Sequence, residues 1–438
     1  MAYKKANEPK VRFIDLIKVA VASLFGTTID FYDFVVSGLA AAIVWPTVFF
    51  TSSSPLTALL LSLSVYAVGL IARPIGNLTF AHFGDRIGRR TILIWTLVTS
   101  GLGTLAIALV PTYAQIGIAA AVMLTVFRFI QSFGFGGEWG GATAWITEYA
   151  SNSKHRGFWA GIVQASIPLG TMMSSGLFLL LVAVMGIKGV IDGGWRIPFF
   201  VGAAVILVGI LIRLLTDESP LFVRLKKEHK INIAPSIAVW KHYPGNLLKT
   251  IFMFVFVGTI YFTVTVFSVG YLEALKVNAL TALTSVLIAT TAGLVSVLLG
   301  AYLGDYVGRK ALIRTSAILS LIFVVPYFLM LNTHSLYTII IAQMIFLFFA
   351  QLSLGNLLVS SAEFFPTRYR YSGAGYMVTI GSAIGGLLVT VIFPLLLVKL
   401  KGPLNAWPYI AAMILITTVL TILLTFTVKE TKSTELKD

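Results

Sequence analysis

Apolar residues in this chain do not alternate with polar ones. They run almost unbroken for long stretches and stop at short polar turns. Twelve such runs are long enough to cross ~30 Å of hydrocarbon as helices. They cover residues 18–46, 56–82, 91–111, 114–148, 158–186, 197–216, 247–272, 281–303, 311–331, 336–364, 372–400 and 404–428. Membrane-spanning strands are excluded by segment length and by the lack of period-two alternation. The expected fold is an all-α integral membrane protein. The only long polar stretch falls near mid-chain, which gives an N-terminal six-helix bundle over 1–216, a linker over 217–246 and a C-terminal six-helix bundle over 247–438. In the linker, LFVRLKKEHKINIAPSIAVW mixes apolar and basic residues and reads as short amphipathic helices at the membrane surface.

The two bundles repeat one another. GDRIGRR closes the second run at 84–90 and GDYVGRK the eighth at 304–310, with Asp85 and Asp305 lying 220 residues apart. Glu148 and Glu363 lie 215 apart, Trp195 and Trp407 212, and Glu218 and Glu430 212. A duplicated bundle with short loops leaves no extramembrane domain for an active site, so the pattern points to a two-lobed transporter and away from an enzyme.

Composition sharpens this. Of 438 residues, 58% are hydrophobic and 11% charged, against roughly a quarter charged in a soluble protein. The net charge of +15 could suggest nucleic-acid binding, but 25 of the 32 Lys and Arg residues fall on one side of the expected topology. Five lie on the other side (Lys188, Arg196, Lys276, Lys399, Lys401), and Arg73 and Arg128 lie inside spans. The positive-inside rule accounts for that excess and places both termini in the cytoplasm of a multi-pass cell-membrane protein. No cleavable signal peptide is evident, and the absence of cysteine removes disulfides and thiol chemistry.

An ionised side chain at mid-bilayer costs ~2.5–3.5 kcal/mol on insertion scales, so each is a functional candidate. The first bundle holds Asp30 and Asp33 in IDFYDF, on one helix face. It also holds Arg73 before Pro74, and Arg128, Gln131 and Glu138 in RFIQSFGFGGEWGG. On an ideal helix those three share a stripe about 80° wide. Asp33, Asp30 and Glu138 are the candidate proton carriers. The second bundle offers neutral groups instead: Tyr261, Thr265, Gln343, Gln351, Asn356, Tyr376 and Thr379. Arg128, Gln131, Arg73, Tyr261, Thr265, Gln351, Asn356 and Tyr376 are the candidate substrate ligands. A purely structural ion-pair cluster joining the first and fourth helices is the competing reading of the charged set.

With these residues in view, the chain resembles the major facilitator superfamily and, within it, the metabolite:proton symporter family. GDRIGRR is similar to the superfamily's turn between helices 2 and 3, and GDYVGRK to its weaker echo. Arg128 and Gln131 match the helix-4 signature; GTTIDFYDF, ARPIGN, RFIQSFGFGGEWGGA and GWRIPF are more specific to the symporter family. Ala81 and Ser132 stand where the superfamily usually has glycine. The resemblance implies twelve transmembrane helices in two pseudo-symmetric six-helix lobes, with helices 1, 4, 7 and 10 lining one cavity. It also implies proton-driven uptake of a small organic acid, zwitterion or related metabolite.

The turns have chemistry of their own. An acid there can face a helix N-terminus, where partial positive charge favours it. Asp85, Arg89, Glu148, Arg156, Asp305, Arg309 and Glu363 are the candidate cytoplasmic gate, fastening the lobes when the pathway opens outside. The expected mechanism is symport by alternating access, with Arg128 drawing in the substrate and Asp33 carrying the proton. Expected partners are a small-molecule substrate, protons and the lipid bilayer, with no nucleic acid and no cofactor, and the chain is expected to function as a monomer. A uniporter or exporter of a sugar, polyol or other small solute, and a transporter-like membrane sensor, remain alternatives. An intramembrane enzyme lacks a recognisable HExxH metal site.

Overall fold

The computed structural model describes residues 13–51, 54–87, 89–150, 153–214 and 235–432. Within them the apolar runs become helices, as they must where no water can satisfy a free backbone amide. The first lobe comprises α1 (Phe13–Ile43), α2 (Pro55–Ile87), α3 (Arg89–Leu109), α4 (Ile118–Phe135, then Trp139–Tyr149), α5 (Arg156–Gln164, then Ser166–Gly189) and α6 (Arg196–Leu214). The second comprises α7 (Pro244–Phe262 to Ser268–Ala274), α8 (Ala279–Val307), α9 (Arg309–Leu331), α10 (Leu336–Gln351, then Leu354–Phe364), α11 (Thr367–Leu387 to Phe393–Lys399) and α12 (Pro403–Thr427). Ten of these are apolar over a full membrane width; α3 and α6 hold shorter apolar stretches, Ile94–Leu109 and Arg196–Leu211.

Each close pairing in the first lobe recurs six helices later. Helix α1 packs on α5 as α7 does on α11; α2 on α4 as α8 on α10; α3 on α6 as α9 on α12. The lobes meet through α5 against α8 and α2 against α11, which is again a matched pair. Close approach explains the small residues at the first of these contacts. A Cβ on Gly161 of α5 would clash with Ala301 of α8, and one on Gly355 of α10 would crowd the same alanine.

Three departures from a regular helical pattern matter. Helix α4 breaks at 136–138 and α10 at 352–353, so the ideal-helix stripe expected for Arg128, Gln131 and Glu138 does not extend to Glu138. Helices α7 and α11 each widen to a π-helical turn near mid-length, at Thr263–Phe267 and Leu388–Ile392. The turn between α8 and α9 needs its glycine, since Gly308 has φ of 113°, a region costly for any residue with a Cβ.

Of the expected linker, residues 217–234 lie outside the described residues. Its remainder includes a short helix, Pro235–His242. That helix buries Val239 and sets Trp240 edge-on to Tyr376 of α11, with ring centroids 5.8 Å apart. Val239 and Trp240 therefore contact protein, while Ile237 remains exposed.

Candidate substrate cavity and charge network

Helices α1, α2, α5, α7, α10 and α11 converge on a cavity between the lobes, whose lining includes Phe31, Phe34, Arg73, Tyr261, Phe262 and Gln351. Measured by the positions a water molecule could take, its volume is about 30 Å³, so the walls are drawn close together. Tyr261 crosses from the second lobe to the first, sharing a 2.7 Å hydrogen bond with the Thr171 hydroxyl of α5.

Arg73 is the cationic wall of this cavity. Its Nη2 forms an ion pair with Asp30 Oδ1, and its guanidinium lies 4.1 Å from the Phe34 ring centroid. Asp30 is fully buried, and its second oxygen has no hydrogen-bond partner. A buried ion pair is weak evidence of stabilisation, and here one of its oxygens is left unsatisfied.

The second carboxylate is wired differently. Asp33 Oδ2 accepts from Thr104 Oγ1 at 2.9 Å and from Gln131 Nε2. The Gln131 oxygen in turn accepts from Arg128 Nη1, so Asp33 and Arg128 communicate through the amide rather than pairing directly. Arg128 sits between Phe34 and Tyr66, 5.2 and 4.8 Å from their centroids, and is not part of the cavity lining. Its Nε and Nη2 lack hydrogen-bond partners. The expected direct approach of Arg128 to a solute in the cavity is therefore not what this arrangement presents; Arg73 occupies that position. The register that decides this is the rotation of α2 and α4 about their axes, which sequence spacing within one helix does not set. Glu138, the last residue of the break in α4, accepts a 3.0 Å hydrogen bond from Thr96 of α3.

The second-lobe candidates separate. Tyr261 and Gln351 line the cavity, and both amide atoms of Gln351 are buried without partners. Thr265 is buried in the π-helical turn, its hydroxyl donating to Tyr261 O at 2.7 Å. Asn356 and Tyr376 stand apart from the cavity. Asn356 Nδ2 donates to Gly300 O at 2.7 Å, tying α10 to α8, while Tyr376 packs under the linker helix. Sequence reasoning missed the aromatic wall made by Phe31, Phe34 and Phe262, although two of these lie in IDFYDF. It also missed Gln164 of α5 and Asn77 of α2, buried amides with no hydrogen-bond partner and no sequence signal beyond ARPIGN for the latter.

At the end of the bundle carrying the GDYVGRK turn, charges cross between lobes. Asp305 Oδ1 and Oδ2 accept from the backbone amides of Gly157 and Phe158 at 3.0 and 2.9 Å, capping the N-terminus of α5. Arg309 Nη1 lies 2.8 Å from Asp305 Oδ1, and its Nη2 3.5 Å from Glu363 Oε1. Arg156 Nε donates to the same Glu363 oxygen at 2.8 Å. The side chains of Asp85, Arg89 and Glu148 lie outside the described residues. Among the described residues no cluster of His, Cys, Asp and Glu has the makings of a metal site.

The sequence pattern of the Major Facilitator Superfamily matches residues 24–390, and the chain belongs to that family of membrane transporters. Among its relatives, the inner membrane metabolite transport protein YhjE of Escherichia coli K12 is 34% identical over 375 residues, covering 84% of this chain and 85% of its own. The shikimate transporter of the same organism is 30% identical over 383 residues, covering 84% and 85%. In fold, the chain matches the crystal structure of a D-xylose-proton symporter with a TM-score of 0.73 and 17% identity, over 94% of this chain and 97% of that one. The expected all-α fold of twelve helices in two pseudo-symmetric lobes is borne out, and so is the superfamily. The protein is a multi-pass membrane transporter of small solutes and not an enzyme.

Proposed function

We propose that the protein is a proton-coupled symporter that takes up a small organic acid or zwitterion by alternating access, acting as a monomer with both termini in the cytoplasm. The observation that carries this reading is the Asp30–Arg73 pair, a buried carboxylate holding the cation that faces the inter-lobe cavity. With Asp30 ionised, Arg73 is committed to it and an incoming anion meets a neutralised wall. A proton on Asp30 removes that commitment and leaves the guanidinium free for a carboxylate of the substrate. Loss of the proton on the cytoplasmic side restores the pair and displaces the substrate. Only such differential affinity can shift the balance between lobe arrangements. Asp33 adds a second carboxylate within the same lobe, read out through Gln131 to Arg128.

Arg156, Glu363, Arg309 and Asp305 form the cytoplasmic fastening of this cycle, with the α5 N-terminus held by an acid of the other lobe. Relatives whose names describe metabolite and shikimate transport support an organic solute of this size. The test is purified protein in liposomes, offered a panel of radiolabelled metabolites with and without an imposed proton gradient. Accumulation of an acid or zwitterion that collapses with the gradient is expected. Uptake indifferent to the gradient favours a uniporter, and binding without flux favours a sensor.

A further inference from the structure

The cavity lining deepens the organic-acid reading, on which the following rests. We infer that the substrate is a monocarboxylate with an apolar or aromatic body and few hydroxyl groups, and that Gln351 is the residue that reads its one further polar group. Four rings form a continuous wall. Phe31 meets Phe34 and Tyr261 edge to face at 6.5 and 6.3 Å, and Phe262 meets Phe34 and Tyr261 at 5.6 and 5.4 Å. Ile167, Phe254, Val257 and Leu354 extend it. Such a surface gains from covering a ring or hydrocarbon chain and offers a hydroxyl nothing.

The polar groups in the lining are few, and most are already engaged. The Tyr261 hydroxyl shares its hydrogen bond with Thr171, and the Ser382 hydroxyl donates to the backbone oxygen of Val378. Arg73 is held by Asp30 until that carboxylate is protonated. Gln351 differs from these: it is 1% exposed, and neither its Oε1 nor its Nε2 has a hydrogen-bond partner. One cation and one free amide can bind a carboxylate and a single hydroxyl, carbonyl or amine. A sugar or polyol would surrender most of its hydrogen bonds to water without replacement, a loss that a site built this way cannot offset.

Three monocarboxylates with one six-membered ring separate the possibilities: benzoate, 4-hydroxybenzoate and the tetrahydroxylated quinate, with glucose and choline as non-carboxylate controls. Because the hydrophobic acids cross bilayers unaided when protonated, the readout is calorimetric binding to the full chain in nanodiscs at acidic pH. The structure leads us to expect 4-hydroxybenzoate to bind at least about tenfold more tightly than quinate, with Gln351→Leu erasing its preference over benzoate, an effect of about three- to tenfold. Binding should also be lost in Arg73→Gln. That variant strands the Asp30 carboxylate and can fail to fold, so Asp30→Asn/Arg73→Gln is measured beside it.

Quinate binding as tightly as 4-hydroxybenzoate, still dependent on Arg73, overturns the substrate class and Gln351's role while leaving the organic-acid reading standing. A 4-hydroxybenzoate preference untouched by Gln351→Leu overturns the role given to Gln351. Binding of glucose or choline with no carboxylate bound overturns both readings, as does an affinity indifferent to the loss of Arg73. Absence of binding by every member of the panel overturns the substrate class.

Discussion

Helices α4 and α10 are repeats of one another, and their interiors are built on opposite principles. Gln131 and Gln351 stand 220 residues apart, the same offset as the aspartates of the two turns. Both are buried. In α4 the amide is a junction: it joins Asp33, Thr104, Ser37 and Arg128 in one network. In α10 the equivalent amide has no partner, and its residue is part of the cavity lining. The residue that would correspond to Arg128 at this offset is Phe348. At this one position, the ancestral unit has thus diverged into a glutamine held in a network and a glutamine left without a partner. The difference teaches that polarity alone does not mark a binding site. On the proposed reading, the Gln131 network serves proton coupling, while the unpartnered Gln351 amide is the candidate ligand.

The largest effect should come from breaking the charged wall of the first lobe. Arg73→Gln leaves the Asp30 carboxyl without its partner in a fully buried place, and breaking a buried pair on one side costs about 3–5 kcal/mol. A fall in melting temperature and loss of gradient-driven uptake are expected together. Asp30→Asn/Arg73→Gln should recover most of the thermal stability and none of the coupled uptake. Recovery of coupling in the double variant would show that the pair is structural, and the contrast between lobes would lose its functional meaning.

The two glutamines provide a matched experiment of intermediate size. Gln131→Leu removes hydrogen bonds from Asp33 and Arg128, and bonds to charged groups contribute about 1.5–3 kcal/mol each. Gln351→Leu removes no hydrogen bond and replaces a buried, unpaired amide with hydrocarbon of similar size. Its expected effect on stability is within about 1 kcal/mol of zero and towards stabilisation. Thermal unfolding of both variants checks the pair. Equal destabilisation would mean that Gln351 has bonds in the folded protein that its geometry does not offer.

Much of this was legible beforehand, and the remainder was hidden for identifiable reasons. Run length gave all twelve helices, because backbone satisfaction in lipid leaves a long apolar segment few other choices. The turn aspartates and their arginines were readable as a repeat, and Asp305 does meet a helix N-terminus. That Arg73 rather than Arg128 lines the cavity, both being candidates, was not readable, since it depends on how α2 and α4 are rotated against α1. The breaks differ in a similar way. That in α4 falls within a run of glycines, where a Cβ on Gly134 would strike Ser100 and one on Gly136 would strike the α2 backbone. The break in α10 at Leu352 and Ser353 has no such signal, and neither residue type disfavours a helix strongly enough to announce it. The placement of Asn356 and Tyr376 away from the cavity follows from these same tertiary choices.

The smallest expected effect tests the comparison at the lobes' shared edge, where the second lobe supplies the acid and the first the helix terminus. Asp305→Asn keeps the side chain's shape and one accepting oxygen for the α5 amides but removes its charge, leaving Arg309 paired with Glu363 alone. A carboxylate at a helix N-terminus contributes about 0.3–1 kcal/mol at exposed sites and up to about 2 kcal/mol when partly buried. About 1 kcal/mol lost from the fastened arrangement would raise the ratio of protein open to protein closed at this end of the bundle about fivefold. Because the chain contains no cysteine, a single Cys placed at Gln164, deep on α5, can report opening through its rate of thiol labelling. Faster labelling in Asp305→Asn, with melting temperature nearly unchanged, is expected if the capping contact belongs to the transport cycle. The same labelling rate with a lowered melting temperature would make Asp305 a structural cap. The asymmetry between the lobes would then end at the cavity and not reach the gate.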